Sequence, residues 1–364
     1  MSINRKKVFY ALAAPLGAFV LAIAVAGLAL LVSGKNPFVA FKQMVVYGGT
    51  VDSLITSINE ALPLFVSGVA VAIGFRTNLF NIGVEGQYRL AAIVAAVVGA
   101  ELPGPGFLRI IMAMSAAIIV GALYASIAGL LKAYRNVNEV IATIMLNGVM
   151  TGLVAVLLKW DLIASIKDQQ LRTSRLPESA WFPSVTLGGS ELYLWVFVAI
   201  AIGIGYHLLI NRSRFGFELR ASGINPGAAL AAGVNPKRMV VKTMALSGAV
   251  AGLVGMPLLL QRQHEFTQQF QQGLGFAGIA VALVGRQKAA GMAAAALLFA
   301  YLTRASQALT SPPTRGTKEI GTILQGTMML AAVVAYEVVR RRAEANAIHE
   351  AAHRAAAQFA EVPA

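Results

Sequence analysis

Gly223-Ile224-Asn225-Pro226-Gly227-Ala228-Ala229-Leu230-Ala231-Ala232-Gly233 lies between two long apolar stretches, with Arg220 before it and Lys237 and Arg238 after it. Glycine, asparagine and proline are helix punctuation, so the segment reads as a short helix set between breaks. Basic flanks next to apolar stretches mark cytoplasmic membrane boundaries. A short helix at such a boundary is an element presented to a partner outside the bilayer.

Composition places the rest of the chain around that element. Of 364 residues, 57% are hydrophobic and 13% charged, against about a quarter charged in soluble proteins. The mean hydropathy is +0.69. A soluble α/β enzyme would alternate buried and wetted elements; here apolar runs long enough for a ~30 Å hydrocarbon core recur from end to end. The net charge of +14 sits at the ends of those runs, where Lys and Arg set orientation and meet anionic lipid, so nucleic acid is not an expected partner. With no cysteine, disulfides and thiolate metal sites are excluded. Arg5-Lys6-Lys7 precedes an apolar run from Val8 to Val32, far longer than the ~7–15 residues of a signal-peptide core. It reads as an uncleaved first helix with its N-terminus inside.

The chain is expected to be an all-α integral membrane protein of about ten transmembrane helices. The segments are Val8–Val32, Ile58–Phe75, Leu90–Ala100, Phe107–Leu131, Val140–Leu158, Leu192–Ile210, Met239–Leu260, Phe276–Val284, Ala289–Leu302 and Ile320–Val339. An external loop is expected around Lys35–Asp52 and another over Lys159–Glu191. Ten crossings return Arg340-Arg341-Arg342 to the N-terminal side, as the positive-inside rule requires. Trp160 and Trp195 are expected at the membrane interface, and Trp181 on the membrane surface. Residues 1–342 form the membrane domain, with the loop 212–238 inside, and 343–364 form a cytoplasmic tail. The third and eighth segments are short and hold matching places in segments 2–5 and 7–10. Those groups run in opposite senses, an inverted repeat of the kind that places a transport pathway at the midplane.

Polar groups interrupt this pattern in few places. Asn78-Leu79-Phe80-Asn81-Ile82-Gly83-Val84-Glu85-Gly86-Gln87 breaks an apolar stretch. Asn81, Glu85 and Gln87 either line a pathway or tie the loop to neighbouring helices, since polar groups at membrane depth need partners or water. Asn138-Glu139 opens the fifth segment as cap and first-turn acid. Thr143 and Asn147, four apart, share one face, where they meet another helix or a solute. Gly248 and Gly252 have the spacing of close helix packing. His349-Glu350-Ala351-Ala352-His353 matches a zinc-protease signature but lacks a third ligand and a substrate cleft, and reads as a solvated tail. No GxxxxGK[ST] loop is present, so no P-loop ATPase is assigned to the chain. No catalytic residue, cofactor or metal site is expected.

Taken together, Asn81-Ile82-Gly83-Val84-Glu85-Gly86-Gln87, Asn138 through Asn147, Gly216 through Gly233 and Gly275 through Leu283 resemble the membrane permease subunits of bacterial ABC importers, in the branch handling simple sugars and nucleosides. That resemblance implies an ATP-driven importer in the inner membrane with both termini cytoplasmic. It implies a separate ABC ATPase, a second permease subunit and an extracytoplasmic solute-binding protein as partners. By likeness, Gly216, Arg220, Gly223, Asn225, Pro226, Ala229 and Gly233 dock the ATPase; the polar residues Asn81, Glu85, Gln87, Thr143 and Asn147 are the substrate-pathway candidates that their own placement gives. A nucleoside is the first choice of solute and a simple sugar the second. The alternative is a stand-alone secondary transporter, against which the lack of intramembrane acid pairs counts.

Overall fold

The structure, a computed structural model, describes residues 20–160, 164–167, 170–312, 314, 319–327, 330, 331 and 334. The start of the first segment, the Arg340–Arg342 cluster and the tail with His349 and His353 lie outside them. The described residues fall into two compact units, one drawn from 1–47 with 305–364 and the other spanning Gly48–Arg304.

In the first unit, α1 (Val20–Val32) and α2 (Pro37–Gly48) meet at 120°. Gly34 turns the chain at φ +69°, and the Asn36 carboxamide accepts from Phe38 N–H at 2.9 Å, with Pro37 opening the helix. The loop expected around Lys35–Asp52 is therefore largely helical. Gln43 of α2 donates to the Pro312 carbonyl at 3.1 Å and accepts from the Thr314 hydroxyl.

The second unit carries α3 (Val51–Phe75), α4 (Val84–Glu101), α5 (Gly106–Arg135) and α6 (Glu139–Leu157). Then come two hairpins, β1 (Ala164–Lys167) with β2 (Gln170–Thr173) and β3 (Ser184–Leu187) with β4 (Ser190–Tyr193). After them run α7 (Trp195–Arg212), α8 (Arg214–Ile224), α9 (Pro226–Ala231), α10 (Pro236–Gly252), α11 (Met256–Leu258), a π turn (Leu259–Gln263), α12 (Leu274–Val284) and α13 (Ala289–Ser306). Six of the described helical stretches are long and apolar enough to span a membrane, or seven with the bent α1–α2 pair. Adding α4, α12 and the helix that starts at Ile320 reproduces the order of the ten expected segments.

One boundary is corrected. The third segment is not an ~11-residue piece: α4 has 18 residues and reaches about 27 Å. Glu85, Gln87 and Arg89 made its first turns read as loop, yet all three are buried. The eighth segment is short as expected, α12 having 11 residues.

The two halves repeat one plan: a long helix, an irregular break, a further helix, a sharp turn and another helix. Their partnership is reciprocal, with α3 packed on α12 and α10 packed on α4. Each long helix, α3 and α10, carries a buried Ser-Gly pair whose hydroxyl reaches a backbone carbonyl of another helix. The Ser67 hydroxyl donates to the Leu274 carbonyl at 2.8 Å, and the Ser247 hydroxyl donates to the Ala70 carbonyl at 2.6 Å. Hydroxyl-to-backbone bonds of this kind satisfy groups that lipid cannot.

Helices α5 and α10 meet backbone to backbone. A Cβ on Gly248 would fall on the Gly121 carbonyl, and one on Gly252 on the Ala117 carbonyl. The spacing read as a packing feature is one.

Within the stretch expected as the Lys159–Glu191 loop, residues 170–191 form a folded cap on the break that follows α11. Thr173 N–H donates to the Phe266 carbonyl (3.0 Å), Leu176 N–H to His264 (2.8 Å) and Phe182 N–H to Leu260 (2.9 Å). Arg172 pairs with Glu265 at 2.8 Å. Trp181 is stacked on His264, centroids 3.8 Å apart, rather than resting on a membrane surface. Burial and the nearby Arg175 hold the His264 imidazole below its ordinary range, which favours the neutral ring in that stack. Trp160 is 60% exposed, whereas Trp195 is fully buried, so only the first suits the interface.

Candidate functional site

The interrupted stretch between α3 and α4 is a closed polar clasp. Asn81 and Gln87 exchange two amide hydrogen bonds, of 2.9 and 2.8 Å. Asn81 also donates to the Ser247 hydroxyl of α10 at 2.8 Å. Asn147 of α6 holds the stretch from outside, accepting from Gly86 N–H at 2.9 Å and donating to the Ile82 carbonyl at 3.0 Å. A Cβ on Gly86 would press on that amide, so glycine is required by the close approach. Thr143 is buried beside Gly83, and its hydroxyl returns to the Glu139 carbonyl at 2.7 Å.

Glu85 links the two halves. Its carboxylate accepts from Gly273 N–H at 2.8 Å and Gly275 N–H at 2.9 Å, so a side chain of α4 caps the N-terminus of α12. A carboxylate there satisfies orphan amides and meets the positive end of the helix dipole. The Tyr88 hydroxyl lies 3.0 Å from the same carboxylate and donates to the Gln271 carbonyl at 2.7 Å. Gly275 is needed because a Cβ there would strike the Glu85 backbone. The five polar residues expected on a pathway thus gather around one clasp and use their polar atoms on protein partners. Sequence reading missed Tyr88, Ser247, Gly273 and Arg89. Arg89 is 6% exposed and its Nε–H has no acceptor among the described residues; a charge at the edge of an apolar run was its only signal.

The second candidate element is α8–α9. Gly216 sits where a Cβ would meet the Leu209 and Ile210 carbonyls, and the Arg220 guanidinium donates to the Ile210 carbonyl. Both fix the corner between α7 and α8. Asn225 serves two helices: its N–H closes α8 onto Ala221 at 3.0 Å, and its side chain accepts from Ala228 N–H at 3.0 Å as the N-cap of α9. Pro226 occupies the first position of α9, where the missing N–H costs nothing. Ala229 is buried under α9, and Gly233 leaves the helix at φ +82°. The motif residues build the scaffold. What it holds outward is Ile224, 83% exposed, and Leu230, 62% exposed.

This element is fastened to the end of α3, which is tied in turn to the residue following α12. Gly223 lies so close that a Cβ would come 2.7 Å from the Thr77 Cα, and Asn78 donates to the Gly223 carbonyl at 2.8 Å. Next to them, Arg76 and the Tyr206 hydroxyl both donate to the Gln287 carbonyl, each at 2.8 Å. Gln287 follows α12 in the left-handed region, φ 55°. The end of α3 thus contacts α8–α9 through Thr77 and Asn78 and the residue after α12 through Arg76.

A multi-helix membrane protein with broken helices and a surface helix pair fastened to them is built as a permease. Residues 53–333 match the family of the branched-chain amino acid transport system / permease component, and the chain belongs to that family. It is 36% identical to a guanosine ABC transporter permease of Bacillus subtilis, over 79% of this chain and 83% of the relative. It is 32% identical to a glucose ABC transporter permease of Haloferax volcanii (77% and 76%), and 28% identical to a nucleoside ABC transporter permease of Lactococcus lactis (82% and 84%).

Proposed function

We propose that the chain is the membrane subunit of an ATP-driven importer that moves nucleosides, with simple sugars as the second choice, across the inner membrane. A separate ABC ATPase docks on Ile224 and Leu230 of the α8–α9 element, on the cytoplasmic side with both chain termini. A second permease subunit completes the pathway, and an extracytoplasmic binding protein delivers the solute. The observation that carries this reading is the fastening of α8–α9 to the end of α3, whose Arg76 in turn holds the Gln287 carbonyl after α12. The relatives that move guanosine and nucleosides supply the solute class.

Transport needs no covalent chemistry from this chain. ATP-driven closure of the partner favours one arrangement of α8–α9 by differential binding. Gly223–Asn78 and Arg76–Gln287 carry that preference to both broken helices. Asn81, Glu85, Gln87, Thr143 and Asn147 keep the clasp beside the pathway rigid, so the halves tilt as bodies rather than unravel.

Leu230→Glu tests the docking surface. The side chain is exposed, so stability should change by no more than about 0.5 kcal/mol. Burying a carboxylate against an apolar docking site should cut the ATPase recovered with the tagged permease about tenfold or more. Unchanged recovery, measured by quantitative mass spectrometry after mild solubilisation, would remove the docking assignment. Uptake by the chain alone in liposomes, without ATP, would favour a secondary transporter instead.

A further inference from the structure

A cavity of about 270 Å³ lies within the second unit, between the first half of α3, the β3–β4 hairpin and the α11–π turn. We propose that it is a binding site for a neutral polyhydroxylated solute, holding the sugar ring of a nucleoside. Asn59 closes it on one side, donating to the Glu191 carbonyl at 2.7 Å and accepting from Tyr193 N–H at 3.0 Å. The Ser190 hydroxyl fixes the hairpin tip to Asp52 at 2.7 Å.

The lining side chains of Thr56, Glu60, Tyr193, Arg262 and Gln271 converge on this space, yet make no side-chain hydrogen bond or ion pair among the described residues. Of these, Thr56, Glu60 and Tyr193 are half-buried, and half-buried polar groups left without protein partners need water or a ligand. Pro63 adds an acceptor, because it lacks the N–H that the Asn59 carbonyl would otherwise receive in the helix. The π turn that carries Arg262 is a geometry often found at functional sites.

The charges select the class. Asp52 is neutralised by Arg304 at 2.6 Å, and Glu60 and Arg262 both line the cavity. With Glu191 also in the lining, the balance is against phosphorylated or carboxylated solutes. A carboxylate accepts from two vicinal hydroxyls, while a guanidinium donates to ring or carbonyl oxygens. The volume is near the lower end for small-molecule sites, about 300 Å³, and suits one sugar ring. Arg262 and Gln271 stand at the exposed side, where the base would emerge. Gln271 also receives the Tyr88 hydroxyl beside Glu85, so occupancy abuts the clasp. The larger cavity of about 620 Å³ between α3, α7 and α13 is lined almost wholly by apolar side chains and offers no such recognition.

The choice of a nucleoside rests on the importer reading; the need for a neutral polyol comes from the cavity. The test is direct binding of tritiated guanosine to the full chain in nanodiscs without partners, with ribose, guanosine 5′-monophosphate and choline as competitors. Saturable binding is expected, displaced by ribose and by neither charged competitor. Glu60→Gln and Arg262→Gln should each weaken it about ten- to a hundredfold, and Tyr193→Phe, at the rim and safe for folding, about threefold or more. Thermal unfolding confirms that each variant is folded. Lack of saturable binding, binding indifferent to the folded variants, or displacement by choline overturns the site. ATP-driven guanosine uptake by the assembled complex is measured beside it. Uptake without cavity binding sinks the site alone, and cavity binding without uptake sinks the importer reading alone.

Discussion

Gly248→Val should unfold the membrane domain at a markedly lower temperature, losing about 3 kcal/mol or more of stability. The glycine faces the Gly121 carbonyl and the Ala125 Cβ with no room for a side chain, so the new methyls must push α10 off α5. That contact is an extensive helix pairing in the second unit. Separation would also displace Ser247, the residue next in sequence, from Asn81 and the Ala70 carbonyl. Gly148→Val is the internal control. Gly148 and Gly152 of α6 repeat the same spacing, but a Cβ at either meets nothing within 4 Å. The control should keep wild-type stability in detergent, measured by thermal unfolding followed by size-exclusion chromatography. Equal losses in both variants would show that spacing alone, and not the α5–α10 approach, sets the cost.

Glu85→Ala should abolish most transport, lowering ATP-driven uptake in proteoliposomes more than tenfold. The truncation leaves the amides of Gly273 and Gly275 without their acceptor at the buried start of α12. Orphaned buried donors cost about 1–3 kcal/mol each, so a stability loss of about 3 kcal/mol accompanies the defect. Glu85→Gln keeps one carbonyl acceptor but loses the charge that faces the α12 dipole. It should fall between wild type and Glu85→Ala in both uptake and melting temperature. Wild-type uptake in Glu85→Ala would show that the link between α4 and α12 is dispensable.

The two variants differ in how visible their targets are. The spacing of Gly248 and Gly252 announces close packing, yet identical spacing at Gly148 and Gly152 faces open space, because a motif does not specify its partner. Glu85 was legible as a polar residue needing an answer, but the answer lies 188 and 190 residues away. Capping was the most legible layer, since it acts over two or three residues: Asn138 accepts from Val140 and Ile141 N–H at 2.9 and 3.3 Å, and Asn225 caps α9 as its sequence context suggests. At α4 local reading failed, because burial and distant partners kept Glu85, Gln87 and Arg89 inside a helix that hydropathy ends too early.

By itself the sequence determined the membrane-spanning class, the order of the segments and the short helix around Asn225. Apolar runs, basic flanks and caps are local signals whose free energy is decided by neighbouring residues and the bilayer. Only the tertiary structure decided that Arg220 closes a corner while Ile224 and Leu230 face outward. It also decided that 170–193 folds as a cap and that Glu60 and Arg262 share a cavity. Those outcomes depend on backbone approach and hydrogen bonds between residues far apart in the chain, and such pairings leave no period or motif in the sequence around either partner.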